Sequence, residues 1–355
     1  VIAPFRKKNY NPRTNNQKSV RFSPQNKKAN HSRKKSRSFG EKFNLYTGEK
    51  LQWWQVVFRL AGAMIPAILP WIMLCSGYGF GVSILSYFGH FSIFTDNKVI
   101  QNIIVSLNIV LSLLLAFRTN TAHDRFWEGR KLWGAQVNVV RNLVRGIWVY
   151  IEERNWKDKN IKEAAMRLVV AFTIAMKLHL RRDPMNEELV PFMSSSQYEQ
   201  ILQVNHAPLE ISLWLSEYLQ NQYEREQLNV FQLNTLHQDV DEMIDILGGC
   251  ERILKTPVPL IYTMTLKILL LIYFLLLPWE LVAGLNLWTS LVVGFISFVL
   301  LGINEIGAEI EEPFGHDPND LPLDFICNTI KRNTDDLITF SPLQGKYKEN
   351  FDRTA

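Results

Sequence analysis

Seven histidines, three cysteines and scattered carboxylates are the residues of this 355-residue chain with the means to do metal or covalent chemistry, and their spacing argues against both. His31, His90, His123, His179, His206, His237 and His316 stand singly, without HExxH spacing, and no GxSxG, phosphate-binding loop or dinucleotide fingerprint occurs. Cys75, Cys250 and Cys327 are odd in number and far apart, which excludes a disulfide framework and a CxxC-type metal site. His123 beside Asp124 has the form of an acid–base pair. It sits, however, in a dense run of charge with Arg118, Arg125 and Glu128, where a salt-bridge network at a subunit interface is the simpler role. No enzyme, resident metal or cofactor is expected. Lys267 is different, because it is the single charge of an apolar run, and a charge placed in a membrane is costly enough to mark a functional candidate.

The elements that hold these residues follow from where charge is missing. The chain is 47% hydrophobic and 21% charged, which excludes a disordered or collagen-like polymer. Residues 60–95, 99–117 and 281–304 contain no Asp, Glu, Lys or Arg, and 259–279 contain only Lys267. A bilayer core needs about 20 mostly apolar helical residues, so four spans are expected. Trp53, Trp54, Trp71, Trp279 and Trp288 lie in or beside these runs, several near their ends, where an amphipathic ring suits the headgroup level. Gly77, Gly79 and Gly81 offer a place for the long first run to break. Pro257 and Pro259 suit the start of the third.

Charge also orients the spans. Residues 1–40 hold 12 Lys and Arg and no acid, the second span is followed by Arg118, Arg125, Arg130 and Lys131, and the short connections on the other side are nearly free of Lys and Arg. Both termini and the central segment are therefore expected in the cytosol or its equivalent. The expected organisation is a basic disordered tail over 1–40, two spans within 41–117, a cytosolic helical region over 118–255, two spans within 256–304 and a cytosolic segment over 305–355. Within the central region the uncharged stretch 168–176 is too short to span and suits a helix buried in a bundle. The second span continues past its first charge, which predicts one long rod with an apolar and a charged half. On it Arg125 and Glu128, three apart, are placed to pair, and Arg118 and Arg125, seven apart, share a face.

Three blocks on this frame, FRTNTAHDRFWEGRKLWG at 117–134, GGCERILKTPVPLIYT at 248–263 and EEPFGHDPNDLPLD at 311–324, resemble the bestrophin family, in particular its bacterial and organellar branch. The resemblance covers about residues 45 to 335 and implies an all-α membrane protein with four transmembrane helices per subunit and a cytosolic helical bundle. It further implies a homopentameric channel whose second helices line one pore and which conducts anions such as chloride. A cation-conducting relative shows that the fold alone does not set selectivity.

In that family three apolar residues ending eight before the motif arginine form a narrow neck, which here selects Ile109, Leu113 and Phe117. Their i, i+4, i+8 spacing puts them on one stripe about 12 Å long, and five copies would stack three apolar rings that gate by excluding water. Lipid-facing or packing residues are the alternative. Counting back from the third span places a second constriction at Phe231, with a buried core phenylalanine as the other reading. Eukaryotic members bind calcium in an acidic run after PFG; here only Asp317 and Asp320 remain, with Pro318 between them, so a structural turn is expected instead. A secondary transporter should show internal repeats, and none is visible. A membrane-anchored scaffold would not need the apolar stripe. The expected partners are four further copies, inorganic anions and the lipid bilayer, with no nucleic acid, in a plasma membrane or a thylakoid or other organellar membrane.

Overall fold

The computed structural model describes residues 53–88, 98–317 and 319–340, and among them there is helix and turn but no strand. The expected disorder of the tail 1–40 concerns residues outside these. Helix α1, Trp53–Tyr87, runs unbroken through Gly77, Gly79 and Gly81, where the sequence allowed a break. The reason is packing: a Cβ on Gly79 would stand 3.4 Å from Ser290 and Val293 of the facing helix. Small residues let membrane helices approach closely and exchange polar contacts. Beside Gly79, the Ser76 hydroxyl donates to the Ser290 carbonyl at 3.1 Å and Ser290 returns a bond to the Ser76 carbonyl at 2.8 Å.

Helix α2, Lys98–Tyr150, is one rod of 53 residues, about 80 Å at 1.5 Å per residue. Helix α3, Trp156–Arg181, starts at the Asn155 cap, whose side chain accepts from the Asp158 N–H, and ends where Arg182 turns left-handed at φ 59°. A 3₁₀ turn at Glu187–Phe192 and the short helix α4, Ser195–Ile201, lead to α5, Ala207–Glu224. Helix α6, Val230–Lys255, opens with a capping box between Asn229 and Gln232. Helices α7, Leu260–Leu285, and α8, Thr289–Glu311, form a hairpin through the 3₁₀ turn Asn286–Trp288, and α9, Leu323–Phe340, follows.

Two cores result. The smaller joins Cys75 of α1, Leu111 and Leu115 of α2, Leu266, Leu270 and Phe274 of α7 and Val293 of α8. The larger joins Trp133, Leu143 and Ile147 of α2 to Phe172 and Met176 of α3, Leu236, Met243 and Cys250 of α6, Phe314, and Ile330 of α9. Among the described helices α2 alone supplies several residues to each, so the rod mechanically links the apolar helices to the larger bundle. The stretch 168–176 is buried in that bundle, as its uncharged run suggested. Lys177 is buried with Glu188 at 2.6 Å and Asp324 at 2.8 Å, while Arg181 meets Asp324 at 2.9 Å. This arrangement binds α3 to α9 and pairs the buried Lys177 ammonium with two carboxylates.

Candidate functional site

The three residues of the apolar stripe project from α2 with open sides: Ile109 is 66% exposed, Leu113 54% and Phe117 54%. Their neighbours on the opposite side of the same turns are packed away, Leu111 completely and Leu115 at 3%. Among the described residues, therefore, α2 commits a narrow stripe to the core and leaves Ile109, Leu113 and Phe117 without cover. Phe231 lies in the first turn of α6 and is 85% exposed, which corrects the core-phenylalanine reading: in that turn Leu233 is the residue that packs against the larger core, and Phe231 points away from it.

Just below the stripe the rod is tied to two helix ends. Arg118 is buried; its guanidinium donates to the Asn304 side-chain oxygen and lies 3.9 Å from the Glu311 carboxylate. Arg125 donates from Nε to the Glu311 carbonyl at 3.1 Å, from Nη2 to the Ile253 carbonyl at 2.7 Å and from Nη1 to the Thr256 carbonyl. Those carbonyls close α8 and α6, where the last turns leave acceptors without helical donors and carry the negative end of the dipole. Glu311 also accepts from the Val258 N–H at 2.9 Å through its side chain.

Arg118 and Arg125 thus share a face, as their spacing indicated, but the expected Arg125–Glu128 pair is not formed. The orphan carbonyls claim the guanidinium, and Glu128 accepts instead from Arg252 at 2.7 Å. Asp124 and His123 stand on the open side, 87% and 66% exposed and 3.9 Å apart.

The post-PFG segment closes on itself. The Asp320 carboxylate accepts from the Asp317 N–H at 2.7 Å, and the Asp320 N–H donates back to the Asp317 carbonyl at 3.0 Å. A Cβ on Gly315 would come within 2.7 Å of that carboxylate oxygen, so any larger residue there would have to displace it. Burial pushes the Asp320 carboxyl up to about 7 against the opposing pull of the Asp317 N–H. This is the geometry of a tight turn whose carboxylate is already engaged. Lys267 faces a cavity of about 700 Å³ between α1, α7 and α8, shared with Tyr78, Asn304 and Glu305 and otherwise apolar.

Two sets of residues escaped the sequence reading. Asn304 and Glu311 answer the two rod arginines from 186 residues away; the only linear signal was a polar pair at the end of an apolar run. His179, His206 and Glu251 converge although no spacing relates them.

Four apolar helices, one of them extended into a charged rod bound to a separate helical bundle, define an integral membrane protein of all-α class. The chain belongs to the bestrophins: the model of the bacterial and fungal bestrophin proteins matches residues 46–336. It is 50% identical over 296 residues to a voltage-dependent anion channel-forming protein of Nostoc sp., a match covering 83% of this chain and 95% of the relative. The protein of the same description from Synechocystis sp. is 47% identical over 82% of this chain and 93% of its own. Among solved structures, a bacterial bestrophin homologue from Klebsiella pneumoniae superposes with a TM-score of 0.69 at 28% identity, covering 78% of this chain and 99% of that one.

Proposed function

We propose that this chain is one subunit of a homopentameric anion channel, with chloride among the ions conducted, in which α2 of each subunit lines a central pore. The observation that carries the reading is the stripe of Ile109, Leu113 and Phe117, which the described residues leave uncovered on a helix anchored to the core along Ile104, Leu111 and Leu115. Five such stripes around one axis would give three stacked apolar rings. A constriction of that kind excludes water when narrow and passes ions when it widens, because an ion stripped of its shell pays heavily among hydrocarbon side chains.

Phe231 is proposed as a second, cytosolic ring, and Asp124 with His123 as part of the contact between subunits; their exposure in the single chain supports both. The names of the relatives support anions as the conducted species. Which membrane holds the channel, plasma or thylakoid, does not alter the mechanism.

The test is conduction by purified protein in planar bilayers, with reversal potentials under a KCl gradient and then under mixed-anion gradients. A reversal potential near that of potassium would replace the anion reading with a cation one. Substituting Ile109, Leu113 and Phe117 together with Ala removes bulk without adding charge. It should raise open probability and leave assembly intact, with selectivity changing less. A triple variant that assembles yet conducts like the parent would move the constriction elsewhere on α2.

A further inference from the structure

In the larger bundle, three side chains from three elements meet. His179 comes from the last turn of α3, His206 is the N-cap of α5, and Glu251 lies near the end of α6. The Nε2 atoms of the two histidines approach the same carboxylate oxygen, Oε1 of Glu251, at 2.8 and 2.9 Å, and their rings are 4.7 Å apart. Oε2, the other oxygen, is held by the Lys255 ammonium at 2.6 Å. The side chains of His179, His206 and Glu251 are 24%, 35% and 16% exposed, so the cluster is anchored but open to solvent.

We propose that His179, His206 and Glu251 form a binding site for a divalent transition-metal ion of the zinc class, which would clamp α3, α5 and α6 together. Two imidazoles and one carboxylate are a set that zinc accepts, with water completing the tetrahedron. Imidazole nitrogen also favours zinc, copper or nickel over magnesium or calcium, which prefer oxygen. The three donor atoms lie within 4.8 Å of one another. A tetrahedral ion with bonds near 2.1 Å sets its ligands about 3.4 Å apart, so the two N···O gaps open by about half an ångström and the two imidazole nitrogens, no more than 4.8 Å apart, draw to the same spacing by side-chain torsion. Lys255, by occupying Oε2, orients the carboxylate and leaves Oε1 for the metal. Burial alone would raise the Glu251 carboxyl, but Lys255, His206 and His179 together bring it down to about 2, so it is ionised well below neutral pH.

The proton positions make the site switchable. In the metal-free chain both Nε2 atoms donate to Oε1, and Nδ1 of His206 accepts the Leu209 N–H at 3.2 Å. A metal takes the Nε2 lone pairs, so each ring proton must move to Nδ1, and His206 must surrender the cap of α5. Metal binding therefore competes with a helix cap, and a residue that caps without ligating separates the two roles.

His206→Asn is that residue, because asparagine is a strong N-cap and offers no imidazole. The full chain would be purified in detergent, stripped with a chelator, dialysed and titrated with zinc chloride by calorimetry and thermal melting, with cobalt as the spectroscopic probe. The parent should take up one zinc per chain, melt at a higher temperature with it and give a visible cobalt band. His206→Asn should melt like the metal-free parent, lose the zinc-induced shift and bind at least about 100-fold more weakly, since even outer-shell changes cost 10–100-fold. His179→Gln and Glu251→Gln should weaken binding in the same direction, and they keep the test open if one variant misfolds. No uptake by the parent at millimolar zinc, or an equal melting shift in the parent and His206→Asn, overturns the proposal. Neither outcome depends on conduction.

Discussion

A guanidinium that donates to three backbone carbonyls at once has no close substitute. Arg125 does this at the ends of α6 and α8, and Lys, with a single ammonium on a flexible stem, cannot reproduce a planar fork. Arg125→Lys should lose about 2–4 kcal/mol, the size of two charged hydrogen bonds left unmade, read as a lower melting temperature in detergent; an unchanged melt would show the ties to be weak. Asp320 acts through protons instead. The unfolded chain holds this proton only below about pH 4, whereas burial keeps it on the folded chain up to about 7. The stability contributed by the protonated form is therefore complete below about pH 4 and drains away as pH rises through 7. Asp320→Asn keeps an oxygen to accept from the Asp317 N–H and should flatten the fall in melting temperature between pH 5 and pH 8. A variant with the parent's pH dependence would place that titration elsewhere.

At the scale of the element, α2 separates two duties by face. Leu111 is fully buried among the apolar helices and Leu113, two residues on, is not. Leu111→Ala opens a cavity and should cost about 2–5 kcal/mol with little direct effect on the neck, while Leu113→Ala should cost far less stability and should alter open probability. Thermal melts and single-channel records on the same two variants check the division; matched losses of stability would mean that Leu113 packs as Leu111 does. A stripe one position along, Val110, Leu114 and Arg118, ends on the buried arginine that holds Asn304. Its substitution should disturb folding before gating.

For the whole molecule, the uncovered stripe of α2, the exposed Phe231 and the exposed Asp124 all call for neighbours. Five chains about one axis would cover them together, and mass measurement of the purified particle should give five times the chain mass plus detergent. A monomer or dimer would sink the pore proposal. Calcium should matter little to such a channel, because the carboxylate of Asp320 is already engaged by its own turn. Currents that vanish in chelator and return with micromolar calcium would reveal oxygen ligands beyond Asp317 and Asp320.

What the sequence determined by itself was whatever depends on nearest neighbours along the chain. Uncharged runs of span length, a rod that stays helical past Arg118, the buried stretch 168–176 and the three family blocks are all linear patterns. Burial of apolar helix in lipid or core acts on such runs directly. Tertiary structure alone decided the partners. Local spacing offered Glu128 to Arg125, yet the carbonyl ends of two other helices, 128 and 186 residues away, had the greater need of a donor. Gly79 reads in the sequence as a potential break and in the fold as a close approach to α8. His179 and His206 are 72 and 45 residues from the carboxylate they share. Their convergence depends on how α3, α5 and α6 pack, and no periodicity along a single helix carries that information.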